Sequence, residues 1–200
     1  MKRISVLSGA LLFVGAVTFG QGLTHADRER GVEYLQKTRD GVVEAVKGLS
    51  DAQVKFKAAP DRWSVAETLE HIAKSEEFLF QHVTDKVIKA PAGPAGRDTA
   101  KIDAAILTMI PDRSHKAQAP KELVPTSSWT PAESLDHFLK SRATMIAFLE
   151  STTDLREHAV DSPFGQPWDA YEWLLFIAAH SERHTKQILE VKADSNFPKN

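Results

Sequence analysis

The sequence predicts an all-α protein: a four-helix bundle in up-down-down-up order, with a long crossover between helices 2 and 3. Three observations carry that expectation. Four segments place apolar residues at helical spacing. Three of those segments open on strong helix-start signals. The second and third segments begin with nearly the same residues, and a long stretch broken by proline and glycine separates them.

The chain has 200 residues, 42% of them hydrophobic, which suits one domain with a sizeable core. Its expected organisation is a signal peptide over 1–26, the bundle over 27–194 and a short tail over 195–200. Lys2 and Arg3 form a positive start, residues 4–19 are apolar, and Thr24-His25-Ala26 offers a small-residue cleavage site before Asp27. That layout is a secretory signal, so the expected location is periplasmic or extracellular. The apolar run is short for a spanning helix, and no stable membrane insertion is expected after cleavage. Removing the prefix takes away two of 25 basic residues and none of 27 acidic ones, leaving a net charge near −4. A mildly acidic exported protein is not expected to bind nucleic acid, which asks for a basic patch.

The first helix is predicted over 27–49 from Val32, Leu35, Val42, Val43, Val46 and Leu49, with Ser50-Asp51 ending it and Pro60-Asp61 marking a turn. Ser64-Val65-Ala66-Glu67 is a capping box that starts the second helix. Leu69, Ile72, Leu79, Val83 and Val87 carry its stripe to about Lys89, where Pro91, Gly93, Pro94 and Gly96 break it. The crossover over 90–128 is expected to hold a short helix over 99–109. Thr130-Pro131-Ala132-Glu133 starts the third helix, with proline at the first helical position, and Leu135, Phe138, Leu139, Ile146 and Leu149 continue it. Residues 154–166 are expected to form a loop. Asp169 to Glu172 opens the fourth helix, which is expected to reach about Ala193, with Trp168 and Trp173 placed as a hydrophobic staple.

Residues 63–75 match residues 129–141 at seven of thirteen positions: Trp, Ala, Glu, Leu, His, Lys and Ser. Part of this is a shared way to begin a helix. The rest places the second and third helices as equivalents in a pseudo-symmetric bundle. Equivalent places imply a parallel pair, and a parallel pair needs a long crossover.

There is no cysteine, which excludes disulfides, thiolate nucleophiles and zinc–thiolate sites, so any metal must use the eight histidines and the carboxylates. His180 and His184 lie four apart, which puts both rings on one face of the last helix, with Trp173, Ile177, Gln187 and Val191 continuing that face. Two inward histidines need satisfying. A metal would do so, and so would backbone or carboxylate partners. His71 lies roughly 10 Å from the start of its helix and His184 roughly 15 Å from the end of an antiparallel one, so the depths agree within the error of helix ends.

Leu49-Ser50, Gln53, Lys57, Pro60, Trp63-Ser64, Glu67 and His71, followed by His180-Ser-Glu-Arg-His184-Thr-Lys-Gln187-Ile188, make the chain resemble the DinB/YfiT-like superfamily over residues 31–191. That resemblance implies a four-helix bundle with a three-histidine divalent metal site at His71, His180 and His184. The ion would be Zn, Ni or Fe, because imidazole ligands do not choose among them. It also implies a metal-dependent enzyme on a small-molecule substrate, a thiol-dependent transferase or isomerase, and a homodimer by analogy; export leaves open metal-assisted hydrolysis as the variant. The alternatives are a non-catalytic metal- or ligand-binding envelope or stress protein, and a scaffold whose histidines are core residues. His137, equivalent to His71 in the repeat, is expected at the same depth, facing inward but bonded outside the coordination sphere. Glu67 is expected to cap, and Gln187 either to touch substrate or to bond locally. His82 is too far along its helix to share the ion. His115 and His158 are expected to be solvated in loops, Lys74 and Lys140 to be exposed, and His25 to leave with the prefix.

Overall fold

The computed structural model describes residues 22–199. The positive start and apolar run of the expected signal peptide lie outside those residues. Helix α1 (His25–Val46) is capped by Thr24, whose hydroxyl accepts from the Asp27 amide at 3.1 Å. The helix thus begins within the expected prefix, and His25 is its first residue. It stops at Val46 rather than Leu49, and Gly48 turns the chain with φ of 69°. A five-residue helix that the sequence reading did not include, α2 (Asp51–Lys55), follows behind a Ser50–Gln53 capping box.

Helix α3 (Val65–His82) continues through a π-helical turn at Val83–Val87. Helix α4 (Thr99–Met109) occupies the predicted place in the crossover, and α5 (Pro131–Ser151) and α6 (Ala170–Lys192) complete the long helices. The segment expected to be a plain loop holds strand β1 (Ala159–Asp161), which turns through Gly165, with φ of 76°, to pair as a hairpin with β2 (Pro167–Asp169) just beyond it. Reciprocal capping bonds join Ser64 to Glu67, Thr130 to Glu133 and Asp169 to Glu172, so the ends of α3, α5 and α6 sit where those pairs put them. Trp168 and Trp173 meet edge to face at 5.4 Å, forming the staple at the start of α6.

Side-chain pairings give the helix directions. Gly31 faces Tyr171, Gly41 faces Thr185 and Lys192 bonds the Ala45 carbonyl, so α1 and α6 run the same way. Phe80 meets Phe148, and Val65 and Leu69 lie with Pro131 and Leu135, so α3 and α5 also run the same way. His71 lies by His184 and His82 by Trp173, so α3 opposes α6.

Among the described residues the core is two apolar clusters. One gathers Leu35, Val83, Ile102, Met145, Leu149, Trp168 and Leu174; the other gathers Val42, Val65, Leu69, Ile72, Phe138 and Ile188. Fully buried Arg142 sits amid them, paired with Glu76 at 2.5 and 2.8 Å and donating to Thr38 and Ser181. A second buried ionic group ties α4 and the hairpin to the start of α6. Arg156 joins Asp103 to Asp169, and Arg97 joins Asp169 to Glu172. Burial, then the Asp169 charge, pushes the Glu172 carboxyl up, and the Arg97 and Arg156 charges pull it back. Beyond α6 the chain folds back, with Phe197 edge-on to Phe56 at 5.5 Å.

Candidate metal centre

Helix α3 presents His71 and helix α6 presents His180 and His184, and one ligand nitrogen from each lies within 4.8 Å of the others. His71 Nε2 and His180 Nε2 are 3.3 Å apart. Two nitrogens each bound roughly 2.05 Å from an ion at a tetrahedral angle lie roughly 3.3 Å apart. His71 and His184 are 2% and 9% exposed, and His180 is half-buried.

The partners of the far ring nitrogens decide which nitrogen is free. His71 Nδ1 is 2.7 Å from the Leu123 carbonyl oxygen, which can only accept. Neutral His71 therefore carries its proton on Nδ1 and points a bare Nε2 at His180. His184 Nδ1 donates in the same way to Gln187 Oε1 at 2.9 Å. This outer arrangement orients metal-binding imidazoles and sets their tautomer. Gln187 thus makes the local bond, and its Oε1 also accepts from Arg113 at 3.3 Å.

All three imidazoles favour the neutral form. Burial lowers the pKa of His71 against the opposing pull of its Leu123 bond. Burial, then the charges of His184 and His71, takes His180 well below its ordinary value. Burial, then His71, brings His184 down to about 3. At neutral pH the three imidazoles carry no charge to repel a cation, and the Nε2 atoms of His71 and His184 carry no proton. The residues present fit a divalent ion of the nitrogen-seeking class in distance and charge.

Aromatic rings wall the cluster: Trp63 packs on His71 at 4.8 Å and Phe176 approaches His180 at 6.1 Å. The crossover is also tied to α6 beside His184. Arg183 donates to the carbonyls of Ile110, Asp112 and His115, and Lys186 to that of Pro111. Glu70, one residue before His71, is buried and takes hydrogen bonds from the amides of Thr126, Ser127 and Ser128 and from Lys74. Burial opposes its charge, but the Lys74 and Ser128 bonds outweigh burial and hold its carboxyl down at about 2. Glu70 and the Leu123 carbonyl are features that sequence reasoning missed. A backbone acceptor carries no residue signature, and a lone glutamate on a helix is ordinarily read as solvated.

Several expectations need correction. His137 does not face inward, although it bonds outside the cluster as expected. Its side chain is 41% exposed, stacks on Trp129 at 4.0 Å and bonds Glu77 at 2.7 Å. The repeat keeps the Trp–His pairing, Trp63 with His71 and Trp129 with His137, but α5 turns its copy toward Glu77 and away from α6. Lys74 is not exposed: its side chain is 19% accessible, and it bonds Glu70 and Thr126 over the Trp129 ring. His158 is not freely solvated, for it is half-buried and its backbone bridges to Ala92. His115 and Lys140 are exposed and Glu67 caps, as expected. His82 packs on Trp173 at 4.8 Å, away from the cluster.

Comparison with known proteins gives a consistent picture. The sequence model of the DinB superfamily matches residues 34–188. The uncharacterized protein YuaE of Bacillus subtilis (strain 168) is 27% identical over 149 residues, which is 74% of this chain and 88% of YuaE. Among solved structures, YfiT from Bacillus subtilis aligns with a TM-score of 0.56 at 16% identity, covering 92% of this chain and 97% of YfiT. YfiT is described as a probable metal-dependent hydrolase with an unusual four-helix bundle topology.

Proposed function

Because this chain belongs to the DinB superfamily, we propose that it is a metal-dependent enzyme of hydrolase type, acting on a small molecule, with His71, His180 and His184 holding one divalent ion. The observation that carries this reading is the gathering of one ring nitrogen from each histidine within 4.8 Å, with the Nδ1 protons of His71 and His184 held by the Leu123 carbonyl and Gln187 Oε1, which leaves their Nε2 lone pairs free for an ion. Three neutral protein ligands leave coordination positions open, as catalytic sites do and structural sites do not. When bound, a divalent ion supplies Lewis acidity toward a water or a substrate oxygen. The chain's own residues do the rest. Leu123 and Gln187 hold the imidazole protons away from the ion, and Trp63 and Phe176 limit water around the rings. The description of YfiT supports hydrolysis over the thiol-dependent transfer that the family resemblance suggests.

We further propose that the chain is exported and that its first 26 residues are removed, on the strength of the positive start, the apolar run and the small-residue Thr24-His25-Ala26 site. Intact-mass measurement of protein recovered from outside the cytosol should place the mature start at Asp27; recovery of full-length chain in the cytosol defeats this part.

Elemental analysis of purified protein tests the metal reading. The parent should carry one divalent ion per chain, and His71→Ala and His184→Ala should each lose it. Metal-free parent after zinc exposure overturns the site. Zinc-loaded parent that turns over no member of an ester and amide panel would favour a non-catalytic binding protein.

A further inference from the structure

We propose that Glu70 is a positioning residue for the three-histidine site, acting through the crossover loop to set the tautomer of His71. The observations are geometric. Glu70 and His71 are consecutive on α3, and each reaches the same loop. Glu70 Oε2 accepts from the Ser127 amide at 2.8 Å, and Oε1 accepts from the Ser128 amide at 3.1 Å, the Ser128 hydroxyl at 2.9 Å and the Thr126 amide at 3.4 Å. Consecutive amides converging on one anion form a nest. Ser127 holds φ of 56°, a left-handed conformation that few non-glycine residues adopt. The carboxylate fills this nest from within the fold, so the strained turn is held by an internal anion.

Leu123 lies shortly before the nest, on the short 3₁₀ turn Lys121–Leu123, and its carbonyl takes the His71 Nδ1 proton at 2.7 Å. With the nest anchored, that oxygen stays against His71, and only Nε2 can present a lone pair to His180. With the nest released, nothing else in α3 offers His71 Nδ1 an acceptor among the described hydrogen bonds. The imidazole then loses its reason to prefer the Nδ1–H form. That Glu70 thereby tunes metal affinity rests on the metal reading above; that it sets the tautomer does not.

The experiment uses full-length bundle protein labelled with ¹⁵N-histidine and kept metal-free, compared as parent, Glu70→Gln, Glu70→Ala and Thr130→Ala. Long-range ¹H–¹⁵N spectra separate a protonated from a bare ring nitrogen. The parent should show His71 protonated at Nδ1 and bare at Nε2. Glu70→Ala should shift His71 toward a mixture of tautomers while His184, held by Gln187, keeps its pattern. Glu70→Gln, which keeps one acceptor oxygen, should fall between them. Thr130→Ala removes the α5 cap and so controls for general loss of stability; it should leave His71 unchanged. An unchanged His71 tautomer in Glu70→Ala overturns the proposal, and Glu70→Gln decides it in the same way if Glu70→Ala does not fold. A His71 shift in Thr130→Ala equal to that in Glu70→Gln also overturns it. Zinc titration then adds the second arm: affinity should drop roughly 10- to 100-fold in Glu70→Ala. Parent protein that shows the tautomer pattern but binds no zinc removes the metal reading and leaves the positioning of His71 standing.

Discussion

Burial removes the cationic form of each imidazole in the cluster, and this decides how the site meets acid. His184 drops from 6.5 to about 3 in the folded chain. Between those values the unfolded chain binds a proton that the native chain refuses, so stability rises with pH across that window. The contribution is fully present above pH 6.5 and is lost as pH falls toward 3. Urea midpoints of metal-free protein should therefore decline on acidification, and His184→Gln, neutral throughout, should make the decline shallower, leaving the part that His71 and His180 contribute. If the parent curve is already flat over that range, His184 is not buried as described. Gln187 acts on the same ring. Gln187→Leu should weaken zinc binding roughly 10-fold or more by freeing the Nδ1 proton, measured by competition with a chelator. The three histidines were legible because an i, i+4 pair and helical rise are properties of sequence. The Leu123 carbonyl was not, because any residue at that position supplies the same oxygen.

Two glycines on α1 separate close packing from helix propensity. A Cβ at Gly31 would stand 2.8 Å from Tyr171 Cε2 and 3.0 Å from Leu149 Cδ2. Neither can yield easily: both side chains are buried, and the Tyr171 hydroxyl is tied to the Asp27 carbonyl at 2.5 Å. Overpacking costs about 1–3 kcal/mol and exceeds the helix-propensity gain of about 1 kcal/mol. At Gly41 the nearest atom is Thr185 Cγ2 at 3.8 Å, an ordinary contact. There the propensity gain of about 0.5–1 kcal/mol stands alone. Gly31→Ala should lower the thermal midpoint and Gly41→Ala should raise it. Two shifts of the same sign would mean that α1 does not approach α5 and α6 as described. At this scale the long helices could be read because periodicity needs several turns and capping pairs mark the ends. Helix α2 and the hairpin could not be read by periodicity, since five and three residues are too few to show a period. The Ser50–Gln53 box was a readable sign of α2 that periodicity alone passes over.

Across the whole molecule, the sequence repeat carried the parallel placement of α3 and α5, but the charged layer between them lay hidden. Arg142 reads as a solvated position in an amphipathic pattern, yet it is fully buried and touches three other long helices through Glu76, Thr38 and Ser181. Only the assembled bundle shows this, because each partner lies on a different element. Ser181 is the neighbour of His180, so the layer also fixes the rotation of α6 that aims the site. A buried pair is weak in net terms but costly to break, since the surviving charge has no water. Arg142→Leu alone should destabilise by about 3–5 kcal/mol by stranding the Glu76 carboxylate. Glu76→Leu alone should cost a similar amount. The double change should cost far less than the sum, short of neutral because the Leu35 carbonyl and Thr38 also lose their donor. A double-mutant cycle by urea denaturation measures this coupling. Additive losses would mean that the two charges do not depend on each other, and the layer would then be a set of separate contacts with no bearing on how α3, α5 and α6 hold their register.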